Sequence, residues 1–122
     1  MVPADDIETR LERLSNETDT CSLAEFQDKA EDLRSDPGFE RAVLQAGALA
    51  NEKRLITLAL LAERDSLCAC EIQAALDCTN PTVSHHMDCL LTADLVTSEK
   101  RGKWKHYELT DDGRRLVAEV LP

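Results

Sequence analysis

Hydrophobic residues recur at helical spacing along most of this chain, beginning at Leu23. Ser22 and Glu25 form an S-x-x-E capping box ahead of the first apolar stripe, which predicts a helix from residue 22 to about residue 34. Five further helix-start signals follow at Asp36-Pro37, Asn51, the segment Cys68 to Cys70, Pro81 and Thr110. The pattern therefore predicts six helices, and the third, apolar on more than one side, is expected to be the most buried.

The periodicity changes from helical to alternating at Leu95. Residues 95–98 alternate, an Arg101-Gly102 turn follows, and Trp104, Tyr107 and Leu109 complete the pattern of a β-hairpin. The predicted order is α-α-α-α-α-β-β-α, with the fourth and fifth helices joined by a tight turn just before the hairpin. This order predicts a mainly α fold with a β-hairpin wing, a winged helix-turn-helix.

Residues 1–21 lack an apolar stripe and are polar and acidic, which predicts an N-terminal arm. Residues 22–122 are expected to form one winged helix-turn-helix domain for DNA binding and dimerisation. For a domain of this size, a homodimer is a common way to bury more apolar surface. The apolar runs are too short to span a bilayer and the first ten residues do not resemble a signal peptide, so we expect a cytoplasmic protein without a membrane partner.

The charge is distributed unevenly along the chain. The net charge is −10, but the hairpin region 96–107 carries four cations against one carboxylate, a net of +3 that leaves −13 elsewhere. A basic tip on an acidic body is the electrostatic footprint of a DNA-binding protein. The alternative is a solvated hairpin that happens to be basic.

Polar residues near the start of the fifth helix are candidates for DNA contact, because the second helix of such a motif places its N-terminal residues at base edges. The candidate DNA-binding residues are Asn80, Thr82, Ser84 and His85 in that helix, and Lys100, Arg101, Lys103 and Lys105 in the hairpin. Of the remaining histidines, His86 is expected to pack inside and His106 to meet phosphate.

The five cysteines indicate metal or redox chemistry, since a reducing compartment disfavours a disulfide framework. Cys68 and Cys70 lie at a helix start, where the helix dipole favours thiolates, and thiolates bind soft ions. Two residues apart within a helix, they are expected to be too close for an unstrained disulfide. Cys78 and Cys89 are expected to be small buried hydrophobic residues without a ligand role.

Three segments together resemble the ArsR/SmtB family of metal-responsive repressors. These are Asn51-Glu52-Lys53-Arg54-Leu55, the segment Leu67-Cys68-Ala69-Cys70-Glu71-Ile72, which is similar to the family's ELCVCDL box, and Val83-Ser84-His85-His86-Met87, which is similar to its recognition helix. The resemblance covers about residues 40–110. It implies a homodimer, formed through the first and last helices, that represses an operon on double-stranded operator DNA until a metal or metalloid binds.

The resemblance also suggests how the cysteine site is completed. Arsenic sensors of the family often have a third cysteine three residues after the pair, where this chain has Gln73. In the cadmium/lead branch, two N-terminal cysteines from the partner subunit complete the box, and Cys21 is the single cysteine in that region here. A metal site of Cys21, Cys68 and Cys70 suits As(III)/Sb(III) first and Pb(II)/Cd(II) second as inducer, with no organic cofactor.

Two other functions are compatible with the sequence. One is a thiol redox-sensing repressor on the same fold, in which oxidation replaces ion binding. The other is a protein-interaction module whose acidic body binds a partner and which has no inducer. An enzyme is not expected, because the chain shows no glycine-rich phosphate loop, nucleophile elbow or distinctive carboxylate pair.

Overall fold

The computed structural model describes residues 22–122, so the predicted arm and Cys21 lie outside the described residues. The elements are α1 (Leu23–Ser35), α2 (Pro37–Leu49), α3 (Glu52–Glu63), β1 (Leu67–Cys68), α4 (Ala69–Leu76), α5 (Asn80–Thr92), β2 (Val96–Arg101), β3 (Trp104–Leu109) and α6 (Asp111–Val120). The described residues divide into two compact units, residues 22–40 and 41–122. No helix within residues 22–122 is long and apolar enough to cross a membrane.

Side-chain caps start the first three helices where the sequence predicts them. Oxygens of Ser22, Asp36 and Asn51 accept hydrogen bonds from backbone N–H groups two or three residues onward, at 2.9–3.2 Å. These bonds satisfy N–H groups that have no partner inside the first turn of a helix. The predicted starts of α1, α2 and α3 are confirmed.

The core of residues 41–122 forms where α3, α4, α5 and the sheet meet. Its fully buried side chains include Leu58, Leu61, Ile72, Met87, Leu90 and Leu95. Burial of each of these side chains contributes about 1.5–3 kcal/mol to the free energy of unfolding. The expectation that α3 is the most buried helix is wrong: α3 buries three residues and leaves Ile56 39% exposed, whereas α5 buries four. α3 packs on α4, α5, α6 and β3, but these neighbours leave the side of α3 that carries Ile56 uncovered.

A two-residue strand, β1, is the element that the sequence pattern does not reveal. The sheet order is β1-β3-β2, all antiparallel, with Leu67 opposite Tyr107 and Cys68 opposite His106. The predicted hairpin of β2 and β3 is confirmed, with Gly102 in the left-handed conformation at its turn. The observed order is therefore α-α-α-β-α-α-β-β-α. Two residues are too few to show alternation, so only the pairing defines β1.

The start of α6 is tied to the turn between α5 and β2. Thr110 Oγ1 accepts a hydrogen bond from the Gly113 N–H at 3.0 Å and donates to the Asp94 carbonyl at 2.6 Å. Gly113 lies directly against the carbonyl oxygen of Leu95, leaving no room for a Cβ. This close approach is the reason for a glycine in the first turn of α6.

Arg54 connects α2, α3 and α5 through hydrogen bonds. Its Nε donates to the Ala48 carbonyl at 2.7 Å, and its Nη1 lies 3.2 Å from His86 Nδ1. Since arginine only donates, His86 Nδ1 accepts, and the ring is neutral with its proton on Nε2. Burial lowers the pKa of His86 below its usual value, and the positive charges of Arg54, His85 and Lys53 lower it further. The expected packing role of His86 agrees with its 7% exposure.

We expect Gly113→Ala to destabilise the protein by on the order of 3 kcal/mol, because the new methyl group overlaps a backbone carbonyl that cannot move freely. Gly47→Ala is the matched control, since Gly47 lies in the interior of α2 with open space around its Cα. It should be neutral or stabilise by up to about 1 kcal/mol. Urea unfolding measures both, and equal midpoints for the two variants would contradict the packing argument.

The lowered pKa of His86 makes stability depend on pH. Its contribution is complete above the unfolded-state pKa, about 6.5. It is lost as the pH falls from there toward the lower folded-state value, because the unfolded chain takes up the proton first. We expect the free energy of unfolding to fall by at most about 1.4 kcal/mol per pH unit from this residue.

Urea unfolding at several pH values and one protein concentration tests this dependence. His86→Gln should flatten the pH dependence below pH 6.5, whereas the exposed control His85→Gln should retain it. If the two variants and the native protein show the same slope, another group causes the dependence.

Candidate DNA interface and cysteine pair

A three-residue turn joins α4 to α5, as the predicted helix-turn-helix requires. Asp77, in the left-handed conformation at φ 49°, ends α4. Thr79 caps α5 by accepting a hydrogen bond at Oγ1 from the Thr82 N–H. The helix begins at Asn80, one residue before the predicted start, with Pro81 in its first turn.

The polar candidates on α5 lie at its exposed start. Asn80, Ser84 and His85 are exposed, and Thr82 is half-buried with its hydroxyl 3.0 Å from that of Thr79. The buried apolar residues Val83, Met87 and Leu90 anchor the same helix to the core. This polarity gives α5 an outward face of hydrogen-bonding groups, and their contact with DNA stays a prediction.

His85 also borders a cavity of about 380 Å³. The other lining residues are Val43, Leu44, Gly47, Ala48, Arg54, Asp88, Cys89 and Thr92. His85 Nε2 lies 4.0 Å from Cys89 Sγ, one turn further along α5. His85 is therefore at the boundary between the outward face of α5 and this cavity.

Lys100 and Lys105 lie directly opposite each other on β2 and β3, and both are exposed. Like charges at opposed positions of an antiparallel pair repel. A phosphate close to both ammonium groups would relieve this repulsion. The pair is therefore a suitable phosphate contact.

The other two basic residues of the hairpin already interact within it. Arg101 Nη2 lies 3.4 Å from a carboxylate oxygen of Glu99 and 3.3 Å from one of Glu108. Lys103 Nζ lies 5.4 Å from the ring centre of the half-exposed Trp104. The charge of Arg101 is thus partly compensated before any DNA approaches, which makes it a weaker phosphate contact than a lysine of the Lys100/Lys105 pair.

Cys68 and Cys70 lie side by side at the start of α4. Their sulfur atoms are paired as a disulfide, with the two Cα atoms 5.4 Å apart. The expectation that these cysteines are too close in sequence to pair is wrong, because Cys68 is not helical. It is the extended N-cap residue, at φ −82° and ψ 158°, and only Cys70 lies inside the helix. In the reduced protein, the same proximity allows both sulfurs to reach one ion.

Glu71 holds the backbone of this cysteine pair in place. Its carboxylate accepts a hydrogen bond from the Cys68 N–H at 2.9 Å, the return contact of a capping box. The bond fixes the direction in which the chain enters α4. It thereby sets the relative positions of the two cysteines.

His106 lies next to the cysteine pair, which the sequence did not indicate. It is opposite Cys68 on β1 and opposite Glu99 on β2, so the three residues form a row across the sheet. The Nδ1 atom of His106 is buried and has no hydrogen-bond partner among the described residues. This nitrogen is enclosed, so a phosphate contact of His106 would have to use Nε2 and stays a prediction. The alternating pattern of β3 predicts the face of the sheet on which His106 lies. Its neighbour Cys68 becomes apparent only from the pairing of β1 with β3.

The remaining candidates are not brought into this site. Within residues 22–122, no three side chains of histidine, cysteine, aspartate or glutamate already surround a common point. Cys78 is half-buried against the core, and Cys89 is half-buried beside His85. Within the described residues, the structure thus brings together the sulfurs of Cys68 and Cys70, and in the reduced state the two thiolates would suit a thiophilic ion.

The chain is similar to known transcriptional regulators. Residues 51–98 match the family described as bacterial regulatory protein, arsR family. A relative from Halobacterium salinarum is 35% identical over 119 residues, covering 91% of this chain and 92% of its own length. The arsenical resistance operon repressor of Bacillus subtilis is 37% identical over 61% of this chain and 71% of its own length. The cadmium resistance transcriptional regulatory protein CadC of Listeria innocua is 37% identical over 48% of this chain and 50% of its own length.

The fold is also similar to a solved structure, the homodimeric winged helix-turn-helix DNA-binding domain Mb0332 of Mycobacterium bovis. The TM-score is 0.62 at 29% identity, covering 66% of this chain and 75% of that one. The helix-turn-helix and the wing thus agree with the matches in sequence and in structure. The chain belongs to the ArsR family of winged helix-turn-helix transcriptional regulators, which are DNA-binding proteins and not enzymes.

Proposed function

We propose that this protein is a homodimeric repressor that binds double-stranded operator DNA and releases it when a thiophilic ion binds Cys68 and Cys70. The observation that carries the proposal is the side-by-side placement of these cysteines at the start of α4, the first helix of the DNA-binding motif. The names of the arsenical and cadmium resistance relatives support the same function. As(III)/Sb(III) are proposed first as inducers and Pb(II)/Cd(II) second, with Cys21 as a third sulfur donor and no organic cofactor.

In the DNA complex, α5 enters the major groove and the wing follows the adjacent backbone. The proposed contacts are Asn80, Thr82, Ser84 and His85 to bases or nearby phosphates, and Lys100, Arg101, Lys103 and Lys105 to phosphates. The division follows from chemistry, since short polar groups read base edges whereas lysines bind phosphates without regard to sequence.

The proposed dimer places two such units at operator spacing. Apolar side chains are exposed on α1 and α6, where Phe26, Leu33 and Val120 are 42%, 48% and 50% exposed. A second copy would remove this surface from water, as the family resemblance implies for the first and last helices. The homodimeric Mycobacterium bovis domain supports a dimer.

Release of DNA follows from the packing of α4 on α5. Ile72 and Leu76 of α4 share one buried cluster with Val83, Met87 and Leu90 of α5. A close-packed interior transmits a displacement of one helix to the next. When the two thiolates close on an ion, the start of α4 shifts and α5 fits the groove less well. A coupling on the order of 1–3 kcal/mol is typical, and by reciprocity DNA weakens ion binding equally.

The pairing of the Cys68 and Cys70 sulfurs favours one second candidate, a repressor that responds to thiol oxidation. The two functions separate under anaerobic conditions with reductant present. Release of operator DNA by arsenite or Cd(II) under those conditions supports the ion response. Release that requires an oxidant such as diamide supports the redox response.

The double variant Cys68→Ser/Cys70→Ser should bind operator DNA with native affinity and no longer release it when arsenite or Cd(II) is added. The control Cys89→Ser, on the recognition helix, should keep the response. Fluorescence anisotropy with a labelled promoter fragment measures both. If the double variant fails to bind DNA without an ion, the cysteines are structural. If it still responds, the ion binds elsewhere.

Lys105→Ala should weaken binding to all DNA sequences by a similar factor and lower the slope of log affinity against log salt by about 1. Arg101→Ala is the matched comparison on the same hairpin, and its effect should be smaller because Glu99 and Glu108 already compensate its charge. Loss of affinity for the operator alone would show that the wing reads bases. A native protein that does not shift its own promoter at moderate salt would favour the protein-interaction module.

A further inference from the structure

His106 contains the one buried side-chain nitrogen or oxygen atom within residues 22–122 that has no hydrogen-bond partner. Native structures keep few such atoms, because burying a polar group without a bond opposes folding. A bound ion is one recognised reason for such an atom to persist. The atom is Nδ1, which in a neutral ring carries a lone pair when the proton is on Nε2.

The surroundings of this nitrogen are set by the sheet register. Directly opposed residues of an antiparallel pair share a face, with Cβ atoms about 4.5–5.5 Å apart. His106 therefore lies on the face of Cys68, whose side chain is 7% exposed, and not on the face of its neighbour Tyr107. Cys70 is paired with Cys68 and so belongs to the same group of side chains.

We propose that His106 supplies a nitrogen donor to a borderline divalent cation, Cd(II) or Zn(II), held by the thiolates of Cys68 and Cys70, and that it thereby sets which ions the site accepts. The proposal rests on the function proposed above for these two cysteines. Bond lengths of about 2.3 Å to sulfur and 2.0–2.1 Å to nitrogen place two ligands of one ion within about 4.4 Å of each other. The spacing of opposed residues in a sheet is compatible with that distance, but the side chains must rotate after reduction of the Cys68–Cys70 pair, because no three such side chains within residues 22–122 surround a common point as they stand.

The row across the sheet provides the usual support for a ligating histidine. Such a residue generally donates its second ring N–H to a carboxylate or carbonyl. Glu99 occupies the position opposite His106 on β2, on the same face. Its carboxylate contacts Arg101 in this structure, and we expect it to accept from His106 Nε2–H once an ion occupies Nδ1. The row therefore connects the cysteine pair to the strand that carries the base of the wing.

The nitrogen donor discriminates between the inducers. Zn(II) and Cd(II) accept mixed sulfur and nitrogen ligands, whereas As(III) binds through sulfur. His106 should therefore contribute to the affinity for Cd(II) and Zn(II) and contribute little to the affinity for arsenite. A third sulfur from Cys21 is compatible with this role and would complete a four-ligand site for Cd(II).

The test uses the reduced, full-length protein under anaerobic conditions. Competition titration with a chelator measures Cd(II) affinity, and the ultraviolet thiolate-to-cadmium absorption reports the bound sulfurs. His106→Gln should bind Cd(II) at least about 10–100-fold more weakly, because the loss of a residue that only orients a metal ligand already has an effect of this size. Its thiolate absorption at saturation and its arsenite affinity should stay native. The control Glu108→Gln, two residues further along β3 on the same face, should leave both affinities unchanged.

The outcomes separate this inference from the proposed function. A native protein without thiolate-to-cadmium absorption and without arsenite binding contradicts the proposed function itself. If His106→Gln shows the same thiolate-to-cadmium absorption and the same Cd(II) affinity as the native protein, only the role of His106 is overturned and the proposed function stands. An equal loss of Cd(II) and arsenite affinity in His106→Gln overturns the selectivity role and indicates a structural one.

Two further measurements cover the case in which His106→Gln folds poorly. The X-ray absorption spectrum of the native protein with Cd(II) bound should be fitted only when a nitrogen ligand is included in the first coordination shell. A first shell of sulfur ligands alone would overturn the inference. Metal-free His106→Leu should unfold at the native temperature or higher, because it removes a buried atom that has no partner. A lower unfolding temperature would mean that the imidazole of His106 stabilises the fold. This result would contradict the inference that His106 is present to bind an ion.

Discussion

The pairing of the short strand Leu67–Cys68 with β3 is the contact on which the arrangement of the site depends. It places Cys68 beside His106, and it brings the chain into α4 immediately after an extended residue, so that Cys70 is adjacent as well. A slip of one residue in this register would turn Cys68 to the opposite face of the sheet. Cys68 and the wing are therefore parts of one three-stranded sheet, and Cys70 follows in the first turn of α4.

The second constraint is the short length of α4, which has eight residues and spans about 12 Å. The cysteine pair lies at its start and the turn to α5 at its end. Because α4 is short and shares one close-packed cluster with α5, few residues between the cysteines and α5 could absorb a displacement at the cysteines. Arg54 and His86 hold α5 from the other side, against α2 and α3. The recognition helix is thus positioned by packing on both sides.

The distribution of charge suits a regulator that binds DNA through a small surface. With −13 outside the hairpin region and +3 within it, the net charge of the body opposes the approach of DNA and that of the wing favours it. The structure refines this picture, since Arg101 is partly compensated by Glu99 and Glu108. Lys100 and Lys105, in contrast, face each other in an arrangement that a phosphate would stabilise.

The sequence alone determined the helix starts, the hairpin and the order of the DNA-binding elements, because caps, turns and periodicity act between residues a few positions apart. Ser22, Asn51 and Thr110 cap helices where expected. The tertiary structure decided which residues lie beside the cysteine pair. Cys68 and His106 are distant in the chain, and their meeting depends on a two-residue strand that leaves no periodic pattern. Such neighbours are selected by the pairing register of strands that are distant in the sequence, and not by local conformational preferences.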